Sequence, residues 1–309
     1  MKKIIFPKSL KKGDKIALIS PAGAVEEAQL EKGISMIKAK GFEPVIGEHL
    51  YTKFSNGYNY AGTEKERLKD INWALNDTDI SAIWASRGGY GCQHLVQHLK
   101  LKQFTEKPKW YIGYSDNTVI QSYLLKNGFA SIHGQTIKTS SFGVTDESYD
   151  LLFDVLKGKT PKYSIPSNQF NKQGTVEGEL VGGNLALIYA LLGTKYSFDF
   201  KDKILFIEDI GENYYALDRM IMSLELAGVF KKIKGLIIGG MTNMGDEKDN
   251  KNYEESFDDF AYKLISERVS KYKFPVVFSF PNGHIKDNRP LIIGGSIKMK
   301  VDNKVKIEF

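Results

Sequence analysis

Three groups of residues in this chain have the types and spacing for acyl-transfer chemistry. Ser115 lies in Gly113-Tyr114-Ser115-Asp116-Asn117, directly after an apolar run and before a helix-like one. A strand-to-helix turn of that kind can expose a serine hydroxyl while the next residue's N–H points toward a developing oxyanion. The position equally suits a helix cap, because Ser and Asp are both favoured there. The hydrolase G-x-S-x-G turn is also incomplete, since Asn117 replaces its second glycine. Upstream, Arg87-Gly88-Gly89-Tyr90-Gly91 offers backbone N–H groups with few side chains in the way, fit either to cradle an anion or to make a tight turn. It is neither a dinucleotide fingerprint nor a P-loop.

A serine nucleophile needs a base, and the histidines are His49, His94, His98, His133 and His284. His94 and His98 have the spacing of a zinc pair, but Leu95 stands where the metalloprotease motif has glutamate, and surface helix positions account for both. His133 and His284 fall near strand ends, the latter in Pro281-Asn282-Gly283-His284 after the apolar run Val276 to Ser279. Glu208 and Asp209 end the run Ile204-Leu205-Phe206-Ile207. Strand alternation points these two acids to opposite faces, so only one can orient a given imidazole. Spacing alone does not choose between the two, and a structural ion pair would explain either.

These side chains must be held by a well-packed scaffold, and the composition allows one. The chain has 309 residues, 42% of them hydrophobic and 26% charged, enough for two domains and unlike a disordered or fibrous protein. The single cysteine, Cys92, excludes an internal disulfide and a cysteine-rich zinc site. It follows the glycine-rich stretch and is expected as a packed residue at a helix start. Of the 43 basic residues only five are arginine, and the net charge of +6 is spread as lysine among acids. That pattern argues for solvation and against nucleic-acid binding. No apolar run approaches the ~20 residues of a membrane span. Pro7 and a cluster of lysines interrupt the start of the chain before a secretory signal could form, so a cytoplasmic location is the expectation.

Through the first half, strand-like runs (Lys15 to Ser20, Phe42 to Ile46, Ile80 to Ala85, Lys109 to Gly113) alternate with helical patterns (Glu26 to Lys40, Glu64 to Leu75, Thr118 to Asn127). This rhythm predicts a parallel sheet, with ligand-binding loops at 20–24, 86–91 and 113–117 beyond its carboxyl ends. From Ser140 to Gly174 the sequence is polar and irregular apart from a helix around Tyr149 to Leu156. The second half mixes strands at 203–207, 235–238, 276–279, 296–301 and 304–309 with helices at 185–192, 216–227 and 254–268. The expected division is residues 1–150 with Ser115, a linker over 151–174, and residues 175–309 with Glu208 and His284.

Taken in order, Ser86-Arg87-Gly88-Gly89-Tyr90-Gly91, Gly113-Tyr114-Ser115-Asp116-Asn117-Thr118, Gly182-Gly183-Asn184-Leu185, Leu205 to Glu212, Arg219 and Gly283-His284 resemble the LD-carboxypeptidase family of serine peptidases. That family includes muramoyltetrapeptide carboxypeptidases and microcin C immunity proteins. The resemblance implies a triad of nucleophile Ser115, base His284 and orienting carboxylate Glu208. It implies an α/β fold: a flavodoxin-like parallel-sheet N-terminal domain, a smaller mixed α/β C-terminal domain of swivelling type, and an active site between them. It also implies a homodimer, with no metal and no cofactor.

The N–H groups of Gly89 and Asp116 are candidates for the oxyanion hole, and Arg87 and Asn184 for contacts to a terminal carboxylate. The expected reaction is hydrolysis of the L,D-peptide bond to a C-terminal D-amino acid of a muropeptide, releasing D-Ala in peptidoglycan recycling. The alternatives are microcin-immunity-type hydrolysis of an aminoacyl-nucleotide and non-catalytic muropeptide binding. The Glu208-Asp209-Ile210-Gly211-Glu212 block followed by Arg219 looks closer to the murein branch.

Overall fold

Short apolar runs become strands β1 (Lys15–Ile19), β2 (Glu43–Ile46), β3 (Ile80–Ala85), β4 (Trp110–Gly113) and β5 (Ser131–His133). The computed structural model describes residues 3–245 and 257–309. The five strands pair in parallel, in the order β5-β4-β3-β1-β2, and the strand Leu291–Ile293 adds to the β5 edge. Ile16, Ala17, Leu18, Ala82, Ile83 and Ile112 are fully buried, as expected for strands covered on both faces.

Helices α1 (Glu31–Ala39), α2 (Glu64–Asn76), α3 (Thr118–Lys126) and α4 (Asp146–Leu156) belong to the same unit. A reciprocal capping box starts α2: the Thr63 hydroxyl accepts from the Glu66 N–H, and the Glu66 carboxylate accepts from the Thr63 N–H. The helix expected from Glu26 is broken at its start, where Glu27–Gln29 form a 3-10 turn ahead of α1.

Two units emerge from the contacts: one runs up to Lys159 and takes in Arg289–Ile292, the other comprises Thr160–Asn288 and Ile293–Phe309. The 151–174 stretch, read from sequence as a linker, holds the end of α4 and the strand β6 (Lys162–Pro166). The second unit continues with β7 (Gly174–Asn184), β8 (Ile204–Ile210), β9 (Gly235–Thr242), β10 (Val276–Val277), β11 (Ser296–Val301) and β12 (Lys304–Glu308). Their sheet runs β10-β9-β8-β7-β11-β12-β6. Pairing is parallel from β10 to β7 and antiparallel from β7 to β6.

The long strand β7 makes both kinds of pairing, with its first half on β11 and its second half on β8. Its residue Gly182 has φ +128°, and a Cβ there would lie 1.9 Å from the Phe206 carbonyl oxygen, so only glycine lets the strands approach. Helices α5 (Leu185–Leu191), α6 (Tyr214–Leu226) and α7 (Asp259–Val269) complete this unit. The expected start of α7 at 254–256 lies outside the described residues. Among the described residues no helix is long and apolar enough to cross a membrane.

Candidate active site

In the first unit, β4 delivers Ser115 into a 3-10 turn, Ser115–Asn117, that leads into α3. Ser115 has φ +62°, the left-handed region that costs a non-glycine residue about 1–3 kcal/mol and persists where surrounding structure enforces it. Much of that enforcement comes from Asn117. Its Oδ1 accepts from the Tyr111 hydroxyl at 2.6 Å, and its Nδ2 donates to the Tyr114 carbonyl at 3.0 Å. A Cβ at Gly113 would lie 2.8 Å from the Asn117 side chain, so the first glycine of the block makes room for the residue that replaces the second. Ser115 itself is half-buried.

Against this turn packs the glycine-rich segment. A Cβ at Gly88 would stand 2.8 Å from Ser115 Cβ and 3.0 Å from its Oγ. Gly89 and Gly91 have φ +106° and +136°. The two turns are tied together where the Cys92 N–H donates to Asp116 Oδ2 at 2.8 Å. Asp116 is fully buried, which raises its carboxyl pKa, although the Cys92 N–H favours the charged form. Cys92 opens a short helix and is fully buried, and burial pushes its thiol up. Arg67, 2% exposed, braces the same rim by donating to the Pro21 carbonyl at 2.8 Å and the Gly91 carbonyl at 3.0 Å. Sequence reasoning passed over Arg67, and its one signal was the rarity of arginine in a lysine-rich chain.

In the second unit, β8 ends with Glu208 and Asp209 facing opposite ways, as alternation requires. Glu208 Oε2 lies 2.7 Å from His284 Nδ1, with the carboxylate side chain 0% and the imidazole 14% exposed. Burial, the largest single influence, opposes the imidazolium, but Glu208, with Asp209 adding, holds the His284 pKa above its ordinary value. Space for the pair comes from Gly283 (φ +122°), where a Cβ would lie 2.8 Å from Glu208 Oε2. The register between β8 and β9 also slips opposite Glu208, between Ile207 and Asp209. At that slip the Gly240 N–H donates to the Asn282 carbonyl, which sets the loop that carries His284.

Asp209 serves its own side of the strand. It accepts from Asn184 Nδ2, the Ala186 N–H and the Ile210 N–H, each at 2.9 Å, and so anchors the start of α5. Burial and the neighbouring Glu208 push its carboxyl up to about 7. Asn184, expected as a substrate contact, is 3% exposed and caps α5 by accepting from the Leu187 N–H.

His133 is fully buried at the end of β5, with its ring 6.1 Å from that of Tyr114. His98 is exposed, while His94 lies near Tyr90 and Glu64. Among the described residues no group of three or more His, Cys, Asp or Glu could hold a metal ion. The first unit supplies a serine at a strained turn and the second a carboxylate-bound histidine, each a part that acyl-transfer chemistry uses.

Comparison with known proteins agrees with that chemistry. Residues 16–134 match the LD-carboxypeptidase N-terminal domain and residues 177–299 the LD-carboxypeptidase C-terminal domain. The murein tetrapeptide carboxypeptidase of Pseudomonas aeruginosa is 29% identical, over 89% of each chain. The microcin C7 self-immunity protein of Escherichia coli is 26% identical, over 94% of this chain and 92% of its own. The crystal structure of muramoyltetrapeptide carboxypeptidase from Oxalobacter formigenes superposes with a TM-score of 0.82 at 28% identity, covering 95% of this chain and 98% of that one. With both domain signatures present in order on matching folds, the chain belongs to the LD-carboxypeptidase family.

Proposed function

We propose that this protein is a serine carboxypeptidase that hydrolyses the L,D-peptide bond to a C-terminal D-amino acid of a muropeptide, converting tetrapeptide to tripeptide with release of D-Ala. The observation that carries the proposal is the buried 2.7 Å contact between Glu208 and His284 Nδ1. It commits Nδ1 to the carboxylate and leaves Nε2 as the nitrogen that exchanges protons with substrate and nucleophile.

In the proposed reaction Ser115 Oγ bonds to the scissile carbonyl carbon as its proton passes to His284 Nε2. Glu208 stabilises the imidazolium formed. The N–H groups of Asp116 and Gly89 would hold the oxyanion, each donor of this kind being worth ~10²–10³ in kcat. The C–N bond then breaks, and the departing D-amino acid takes the proton from Nε2. Water, deprotonated by the same nitrogen, cleaves the seryl ester and restores the hydroxyl. Arg87, next to the glycine-rich turn, is the proposed contact to the terminal carboxylate. Asn184 is spoken for by its cap and its bond to Asp209.

Similarity to the microcin C7 self-immunity protein supports a second reading, hydrolysis of an aminoacyl-nucleotide. The two part in one assay with L-Ala-D-Glu-meso-diaminopimelate-D-Ala and an aminoacyl sulfamoyl adenylate. The murein reading expects D-Ala release that survives a metal chelator. No D-Ala, with cleavage of the adenylate, would contradict it.

A further inference from the structure

Among the described residues four that are not glycine have φ in the left-handed region: Ser115, Asp202, Asn243 and Ser279. Asp and Asn visit that region because their short polar side chains bond locally, whereas serine is not among the residues that do so routinely. Ser115 is the proposed nucleophile. Ser279, at φ +60°, is the other serine, and it lies in the second unit shortly before His284. Backbone strain of this kind persists only where surrounding contacts enforce it, and it gathers at functional sites.

At Ser279 the chain changes step. Val276 and Val277 of β10 lie opposite Leu236 and Ile237 of β9 in parallel register. Continuing that register would bring the Ser279 N–H to the Ile238 carbonyl, but the Phe280 N–H donates there, at 3.0 Å. One extra residue has therefore entered the strand end, and a slip of one residue turns every later side chain to the opposite face. The loop beyond is built on that step. The Asn282 carbonyl accepts from the Gly240 N–H at 2.9 Å, the Gly283 N–H donates to Asn288 Oδ1 at 3.2 Å, and the His284 carbonyl accepts from the Thr242 hydroxyl at 3.1 Å.

The contacts that enforce the turn come from two neighbouring segments. Asn168 Nδ2 donates to Ser279 Oγ at 2.7 Å, and Asn171 Oδ1 accepts from the Phe278 N–H at 2.7 Å. Asn168 is itself fixed, its Oδ1 accepting from the Phe170 N–H at 2.9 Å, and Lys172 and Val276 exchange backbone bonds of 2.9 and 3.0 Å. From α7 the buried Tyr262 hydroxyl donates to the Gly239 carbonyl at 2.8 Å, and its oxygen is bonded by both the side chain and the backbone of Ser279. We propose that Ser279 is a positioning residue: its left-handed turn, clamped by Asn168 and Tyr262, sets the direction in which the following loop delivers His284 to Glu208. The proposal rests on the reading of His284 as the base.

The test separates the backbone turn from the hydroxyl. Ser279→Gly and Ser279→Ala both lose the hydroxyl, but only glycine takes up a left-handed φ freely, and alanine is drawn back to an ordinary one. Two quantities are read: D-Ala release from the tetrapeptide, and the downfield proton NMR signal of the His284 Nδ1–H bonded to Glu208, which needs no substrate. Ser279→Ala should lower kcat by about 10- to 100-fold with KM nearly kept, since misplacement by about 1 Å can cost ~10² in rate, and should lose the signal. Ser279→Gly should stay near wild type in both. If neither variant changes kcat or the signal, even with lowered melting temperatures, the turn serves stability alone and the proposal is overturned. Equal losses in the two variants would overturn it as well, because they would assign the effect to the hydroxyl. If wild type releases no D-Ala, the carboxypeptidase reading fails by itself and the signal decides: its loss in Ser279→Ala but not in Ser279→Gly supports the proposal, and its survival in both overturns it. Should Ser279→Ala not fold, as judged by circular dichroism, Asn168→Ala removes one clamp with Ser279 in place. A lower kcat at unchanged KM then supports the proposal, and an unchanged kcat overturns it.

Discussion

Ser115 and His284 are held in place by different means. Ser115 is set by backbone: a left-handed φ of +62°, an Asn117 amide that clamps the turn, and the Gly88 backbone packed where any side chain would collide. His284 is set by a side chain, the fully buried Glu208 carboxylate at 2.7 Å. Each arrangement depends on a glycine, Gly88 in one and Gly283 in the other, but for different ends. Gly88 leaves space for a serine in a strained conformation, while Gly283 leaves space for a charged partner. A backbone-set group should tolerate changes of charge and respond to added volume. A carboxylate-set group should respond to changes of charge and of pH.

The largest expected effect breaks the side-chain half. In Glu208→Gln the new amide can donate to His284 Nδ1 and favour the tautomer whose Nε2 carries the proton and cannot accept one. An analogous Asp-to-Asn change in a serine protease triad costs ~10⁴ in kcat, and a loss of that order is expected here with the melting temperature nearly kept. A second change probes the backbone half. Gly88→Ala places a methyl 2.8 Å from Ser115 Cβ and should displace the proposed nucleophile. Misplacement by about 1 Å can cost ~10² in rate, and kcat for D-Ala release should fall by roughly that factor without a change in the pH profile.

The smallest effect sharpens the contrast through pH. Glu208, with Asp209 adding, holds the His284 pKa above its ordinary value, and a histidine acting as the proposed base must be neutral, so the acid limb of kcat/KM should lie above the usual histidine range. Glu208→Gln removes the larger of the two carboxylate influences that raise this pKa and leaves burial, which lowers it, against Asp209 alone, so in the residual activity that limb should move to lower pH. In Gly88→Ala it should stay in place. A limb that moves in Gly88→Ala and not in Glu208→Gln would reverse the assignment.

The parallel strands of the first unit were legible because fully buried strands read as continuous apolar runs, and Ile80–Ala85 appears with the expected bounds. The rim loops were legible for the same reason, since they follow the strand ends. Less visible was β7, whose four glycines and two glutamates mask an 11-residue strand that close approach to β8 requires. Lys162–Pro166 was hidden by prolines, which an edge strand accepts. The excursion of Arg289–Ile292 into the first unit is a tertiary choice that no local pattern encodes.

At the site, alternation correctly separated Glu208 from Asp209 but could not say which faces a histidine, because that depends on the loop from β10. The left-handed φ of Ser115 was invisible, since serine carries no signal for it. The hairpin that pairs Phe54–Ser55 with Asn59–Tyr60 was missed because two-residue strands are too short to show a period.

In the proposed mechanism Ser115 is a nucleophile activated by a histidine that Glu208 orients. Peptide mass spectrometry after treatment with a fluorophosphonate tests it most directly. The account predicts a single phosphonyl adduct on Ser115 in wild type, slowed by a large factor in Glu208→Gln and absent in Ser115→Ala. An unlabelled Ser115 in protein that releases D-Ala, or full turnover by Ser115→Ala, would contradict it.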